Sequence, residues 1–399
     1  MSKSNRSTEI ELILSCSKIS VNAADIERTR SLLQQDLEWN FIIQTALRHG
    51  VMPLLFRNLR RYHSEVVPKV VLDNLQQHFV ANATHISLLA KELVNILELF
   101  KSHGIAAIPF KGPTLALLAY NDITLRQSGD LDILVKESNL DKAEQLLVSR
   151  GYVPAASPLR ETGKVQVFIN DKDKIAIDLH WRLAPQVIRS PREQEALWSR
   201  AQFISFNNTQ TLTLSIEDLL LFLCIHACKS RHTWDKLIWA CDIAELSRTH
   251  SNIYWEQLLQ RADKLAVERM LLLGFSIAHT LLDLTLPETM AHRIQTDKVV
   301  NRLTEDVRER IFQGTKAQEW PQQKLRRIRF HLRTREHLRD RLPIYLYNIK
   351  SLLTPNEQDH SFISLPRYLS FLYYLIRPIR LGIKYSVNSL NKIKSKNAI

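Results

Sequence analysis

Two aspartates, Asp130 and Asp132, open the apolar run Leu131-Asp-Ile-Leu-Val135. In an extended strand side chains alternate, so both carboxylates share one face while Leu131 and Ile133 turn the other way, into a core. Neighbouring carboxylates repel, and without a cation one of them tends to hold a proton. A divalent metal relieves that repulsion. Hard oxygen ligands suit Mg²⁺, with Mn²⁺ as the alternative. Gly129, just before the pair, lets backbone approach a ligand closely. A third carboxylate, Asp178, lies in Ile175-Ala-Ile-Asp-Leu-His-Trp181, where Ile175, Ile177, Leu179 and Trp181 alternate with Ala176, Asp178 and His180. If this strand neighbours the first, Asp130, Asp132 and Asp178 converge as metal ligands for in-line phosphoryl or nucleotidyl transfer. Asp178 would ligate the metal or act as general base on an acceptor hydroxyl.

A phosphate cradle is expected at Phe110-Lys-Gly-Pro-Thr114, a strand end followed by glycine and a helix start. Free N–H groups at a helix N-terminus favour phosphate. Lys111 and Gly112 would hold the phosphates together with Arg126, Ser128 and Gly129. Arg126 has the alternative of pairing with Asp130 and positioning it. His180 shares the Asp178 face and would either reach substrate or serve as a satisfied structural group.

The elements that position these residues follow from pattern. Residues 8–103 read as helical, with Trp39, Ile42, Ile43, Ala46 and Leu47 on one face. A longer helix repeats the pattern with Leu88, Leu89, Leu93, Ile96, Leu97 and Phe100, and Gly104 ends it. Ile105–Phe110 and Leu131–Val135 read as strands, with helices over 114–120 and 139–150. Val165–Ile169 and Ile175–Trp181 form a hairpin around Asn170-Asp-Lys-Asp-Lys174. Phe203–Phe206 and Thr211–Leu214 form another. Ser215, with Asp218 three residues on, caps the helices that follow. The fold class expected is α+β, a small mixed β-sheet between helical segments.

Phe110-Lys-Gly, Ala119-Tyr120, Leu125-Arg-Gln-Ser-Gly-Asp-Leu-Asp-Ile-Leu-Val135, Gly151-Tyr152 and Asp178-Leu-His-Trp181 together resemble the uncharacterised nucleotidyltransferase family of the DNA polymerase β-like superfamily. His226-Ala-Cys-Lys-Ser-Arg-His-Thr-Trp-Asp-Lys-Leu-Ile-Trp-Ala-Cys-Asp-Ile-Ala244 and Leu365–Leu381 are similar to the rest of that family. The resemblance implies a nucleotidyltransferase core, metal on the paired aspartates, and ATP or another NTP as donor. Where superfamily members commonly carry Gly-Ser, this chain carries Lys111-Gly112, which leaves the triphosphate contacts open.

The regions expected are an N-terminal helical region at 1–104, the nucleotidyltransferase core at 105–214, a helical domain at 215–320 and a basic helical region at 321–399. The expected activity is Mg²⁺-dependent transfer of a nucleotidyl group, AMP from ATP, to a hydroxyl-bearing acceptor. That acceptor is a small molecule, a sugar or peptide intermediate, or a protein. The alternatives are a non-catalytic nucleotide-binding regulator or scaffold, and a phosphotransferase using the same metal site. His226, Lys229, His232, Asp235 and Asp242 are candidates for a rim facing base or acceptor, or for a solvated helix face. The spacing of Cys224, Cys228 and Cys241 argues against zinc.

Hydrophobic residues are 45% of the 399 and charged residues 24%, enough apolar character to exclude a disordered chain. Four cysteines exclude a disulfide scaffold and point to a reducing, cytoplasmic setting. Of the net charge of +13, residues 321–399 carry +12, from 16 Lys/Arg against 4 Asp/Glu. Because the basicity lies outside the core, nucleic acid is not the expected partner. Tyr368–Leu381 reads as a helix packed back with its arginines outward or, alternatively, as a peripheral membrane contact.

Overall fold

Among the described residues five helices precede the first strand: α1 (Ser7–Ser15), α2 (Ala23–Leu33), α3 (Trp39–His49), α4 (Met52–Tyr62) and α5 (Lys69–Ser102). Asn22 and Asp25 form a reciprocal capping box at the start of α2, and Gly50 ends α3 in the left-handed conformation. The computed structural model describes residues 6–155, 165–170, 172, 174–184, 187–229, 232–313, 320–355, 357–377 and 379–380. Parts of four expected features lie outside them: Asp171 and Asp173 of the hairpin turn, Ser230 and Arg231, residues 314–319, and Pro378 with Leu381.

The sheet begins with β1 (Ala107–Pro109), α6 (Gly112–Tyr120), β2 (Asp130–Val135) and α7 (Leu140–Ser149). It continues with β3 (Val153–Pro154), β4 (Val165–Asn170) and β5 (Ile175–His180). Strand order is β1-β2-β5-β4-β3. Only the β2–β5 pair is parallel. This is the expected α+β class with a small mixed sheet.

Alternation divides the sheet's two faces. Leu131, Ile133, Val135, Ile175, Ile177 and Leu179 pack with Ile86, Leu89, Leu93, Ile96 and Phe100 of α5 in one apolar cluster. Each such side chain taken from water contributes about 1.5–3 kcal/mol. Leu88, expected on that face of α5, is 55% exposed because it falls outside the 86/89/93/96/100 stripe. The opposite sheet face carries Asp130, Asp132, Asp178 and His180.

After the sheet come α8 (Pro191–Ser199) and a hairpin of β6 (Gln202–Phe206) and β7 (Thr209–Thr213). Asn207 and Asn208 both have positive φ, so a two-residue turn replaces the longer expected loop. Then follow α9 (Ile216–Ala227), α10 (Ile238–Thr249), α11 (Trp255–Lys264), α12 (Glu268–Leu282), α13 (Glu288–Thr296), α14 (Lys298–Ile311) and α15 (Trp320–Arg333). Ser215 accepts from the Asp218 N–H at 3.2 Å and caps α9. The chain divides into two compact units, Met1–Thr334 and Arg335–Ile399. Helix α15 belongs to the first, with Phe330 buried in its core, so that unit extends past residue 320.

The second unit contains α16 (Leu338–Leu353) and α17 (Glu357–Phe362). Arg377 and Arg380 do not face outward as expected. Each donates at 2.6 Å to the buried Asp359, while Phe371, Tyr374, Leu375 and Ile379 are exposed. A buried carboxylate is costly unless paired, and this one recruits both guanidiniums. Among the described residues no helix is long and apolar enough to cross a membrane.

Candidate active site

The parallel β2–β5 register sets Asp132 directly opposite Asp178, Asp130 opposite Ala176 and Leu134 opposite His180. One Asp132 oxygen accepts from Lys111 Nζ at 2.8 Å, and the other lies 3.2 Å from His180 Nε2. Ligand atoms of Asp132, Asp178 and His180 lie within 4.8 Å of one another, among the described residues the one such group of metal-ligand type. Asp130 lies outside that trio, although its charge acts on its neighbours. Sequence reasoning left His180's role open. Its place opposite Leu134, one pleat beyond Asp178, is what brings it to Asp132.

Lys111 reaches the site because α6 starts at the end of β1. Phe110 N–H donates to the Asp132 carbonyl at 3.3 Å, which carries the chain past β2 before it turns into the helix. Gly112 makes that turn with φ +58°, and a Cβ there would stand 3.0 Å from the Asp130 carbonyl oxygen. Conformation and space both select glycine here. At Gly129 a Cβ would meet nothing within 4 Å, so this backbone borders open space.

Electrostatics divides the three carboxyls. Burial pushes Asp132 up, but the Lys111 charge and the His180 hydrogen bond outweigh it and hold it well below the usual range. Burial, then the Asp132 and Asp130 charges, push Asp178 up to about 7. Burial and the Asp132 charge likewise raise Asp130. Burial keeps His180 below its ordinary value, against the pull of Asp132. The cluster therefore holds more negative charge than Lys111 neutralises. Hard oxygen donors left short of positive charge fit a divalent cation such as Mg²⁺.

Arg126 pairs with Asp242 and not with Asp130. Its Nε and Nη2 donate to the two oxygens of Asp242 at 2.8 and 2.9 Å, and Tyr120 Oη donates to the same carboxylate at 2.9 Å. Nη1 donates to Ser128 Oγ at 2.6 Å. Arg126 and Asp242 are buried, so the guanidinium holds the 126–129 loop against α10. Asp242 was a candidate for the rim. It is instead this loop's buried anchor, and no local sequence signal links positions 116 apart.

Of the other rim candidates, His226 and His232 stack with centroids 4.4 Å apart, and Lys229 lies over the Phe222 ring. Burial and the Lys111 and Lys229 charges hold His226 well below its ordinary value. Asp235 accepts from Arg310. The four cysteines are free and buried. Cys224 packs against Gly274 of α12, where a Cβ would stand 2.5 Å from its sulfur, and Cys228 accepts from Trp234 Nε1.

The site thus defines a class: a mixed sheet presenting paired carboxylates beside a lysine at a helix start. Residues 35–283 match the model of the uncharacterised nucleotidyltransferase family, and the chain belongs to that family. No curated protein matches the chain. A crystal structure of an antigenic nucleotidyltransferase-like protein from Paracoccidioides brasiliensis is similar at 14% identity and a TM-score of 0.28. That match covers 53% of this chain and 96% of the other, a likeness too loose to bear on the site.

Proposed function

We propose that the protein transfers a nucleotidyl group, AMP from ATP, to a hydroxyl-bearing acceptor with Mg²⁺ or Mn²⁺ as cofactor. The observation that carries this reading is the parallel β2–β5 register, with Asp132 opposite Asp178. Asp130 and Asp132 would hold the metal, with Asp178 opposite Asp132 and left free to act as base. When bound, the metal would supply charge neutralisation at the phosphates. Asp178 is the carboxyl suited to proton traffic, because a group titrating near neutral pH accepts and returns a proton at little cost. It takes the acceptor's hydroxyl proton as that oxygen bonds to the α-phosphorus. The bond from the α-phosphorus to the bridging oxygen breaks, and pyrophosphate leaves with its electron pair. Lys111 would pair with phosphate oxygens in place of Asp132 when that carboxylate holds a metal. Gly112, Ser128 and Gly129 leave backbone and hydroxyl donors beside them. Arg126 positions this loop through Asp242.

The test is ³¹P NMR of ATP, Mg²⁺ and a panel of hydroxyl acceptors with wild type and Asp130→Asn. Pyrophosphate formed by wild type and lost in the variant is the expected result. ADP in place of pyrophosphate would overturn it in favour of a phosphotransferase. Failure of the wild type to bind ATP at all would favour the scaffold.

A further inference from the structure

Helices α14 and α15 enclose a recess of about 280 Å³ that shares no residue with the carboxylate site. Arg326, Arg329 and Arg333 line it, spaced three and four apart so that one face of α15 presents all three. None of these guanidiniums has a carboxylate partner among the described residues. Asp306 is the acid that faces them, and it already accepts from Arg310 Nε at 3.3 Å. Asp235, whose charge also acts on Arg326, accepts from Arg310 as well. Arg310 itself lies over the Phe330 ring at 5.6 Å, with its own charge met by these two acids. Burial and the Arg310 charge lower the Arg326 guanidinium, against the pull of Asp235 and Asp306. Leu325, 56% exposed, supplies an apolar side, with Leu303 and Phe330 buried beneath the recess.

We infer that this recess is a binding site for a small organic phosphate, its phosphoryl group on Arg326, Arg329 and Arg333 and its carbon portion against Leu325. Guanidinium forks match phosphate oxygens in pairs, and several forks around one dianion give a strong charge-assisted contact. The volume is near the lower end of small-molecule pockets, which suits one compact ligand. A concave recess with an apolar wall favours a discrete molecule over a polymer backbone, which is met by an extended basic surface. The recess also adjoins Arg310, whose guanidinium holds the Thr233 carbonyl and Asp235 in the loop after α9. Ligand binding here is independent of the transfer reaction proposed above.

Phenyl phosphate is titrated calorimetrically into the full chain without divalent metal, for wild type, Arg329→Ala, Arg326→Ala/Arg329→Ala and Lys111→Ala, each checked for an unchanged melting curve. Arg329 is exposed, so its single variant tests the site without loading the core. The expected result is one site in the wild type, about tenfold weaker in Arg329→Ala and lost in the double variant. Lys111→Ala keeps it, and inorganic phosphate binds more weakly than phenyl phosphate. Absence of binding in the wild type, indifference to the arginine changes, or loss in Lys111→Ala overturns the assignment. Tighter, salt-steep binding of a short RNA at the same arginines overturns it in favour of a polymer surface.

Discussion

Two buried aspartates of this protein, Asp132 and Asp242, live in opposite electrostatic conditions. Asp242 receives three hydrogen bonds, two from one arginine and one from a tyrosine, and has no second carboxylate to repel it within that network. Asp132 shares its face with Asp130 and Asp178, and Lys111 is the single ammonium it touches. The first arrangement is complete in itself and joins the core loop to the helices. The second is complete only when positive charge is added. An acidic cluster that the fold leaves under-neutralised is a place kept for a cation, whereas a satisfied one is a joint.

Each of the following substitutions tests that division. Asp132→Asn should cost transfer about four orders of magnitude, roughly 5.5 kcal/mol of barrier, while the melting curve changes little. If it instead unfolds the protein, the two aspartates are alike and the comparison fails. Asp242→Ala should do the reverse and destabilise by about 3–5 kcal/mol in urea, because it strands a buried guanidinium. The double change Asp242→Leu/Arg126→Met should recover most of that loss; if it does not, the pair contributes more than charge balance.

Asp178 sharpens the contrast through pH. Its folded value of about 7 lies above its ordinary one, so the folded state holds a proton that the unfolded state has released between about pH 4 and 7. The stabilisation is full below that window and is lost as pH rises through 7. Without metal, wild type should therefore weaken relative to Asp178→Asn by on the order of 2 kcal/mol from pH 5 to 8. Parallel pH profiles for the two would remove the crowding from the account. The smallest effect is expected for Lys111→Gln, about tenfold in the KM for ATP, or roughly 1.4 kcal/mol. A change confined to kcat would place the lysine away from ground-state phosphate.

Much of this was legible in the chain. Alternation around Leu131 and Ile133, and around Ile177 and Leu179, fixed which face the aspartates take before any tertiary contact was known. Lys111-Gly-Pro113 announced a strand running into a helix, and the Gly112 backbone bears out that local reading. Ser215 and Asp218 marked the start of α9. These features depend on residues a few positions apart, where period and capping chemistry act directly. Leu88 escaped the same reasoning because an apolar residue beside a stripe looks like part of it until a partner surface chooses among them.

Residue type and local spacing determined that this protein has strands with one acidic face, and that the acids suit a metal. Tertiary structure alone decided that β2 and β5 lie parallel with Asp132 against Asp178, since register is set by the packing of α5 beneath both strands. It also decided that Arg126 serves Asp242 and that three arginines of α15 share a recess. A guanidinium's reach is short and its partners are chosen by proximity in space. Sequence supplied the charges, and the fold chose which of them to neutralise.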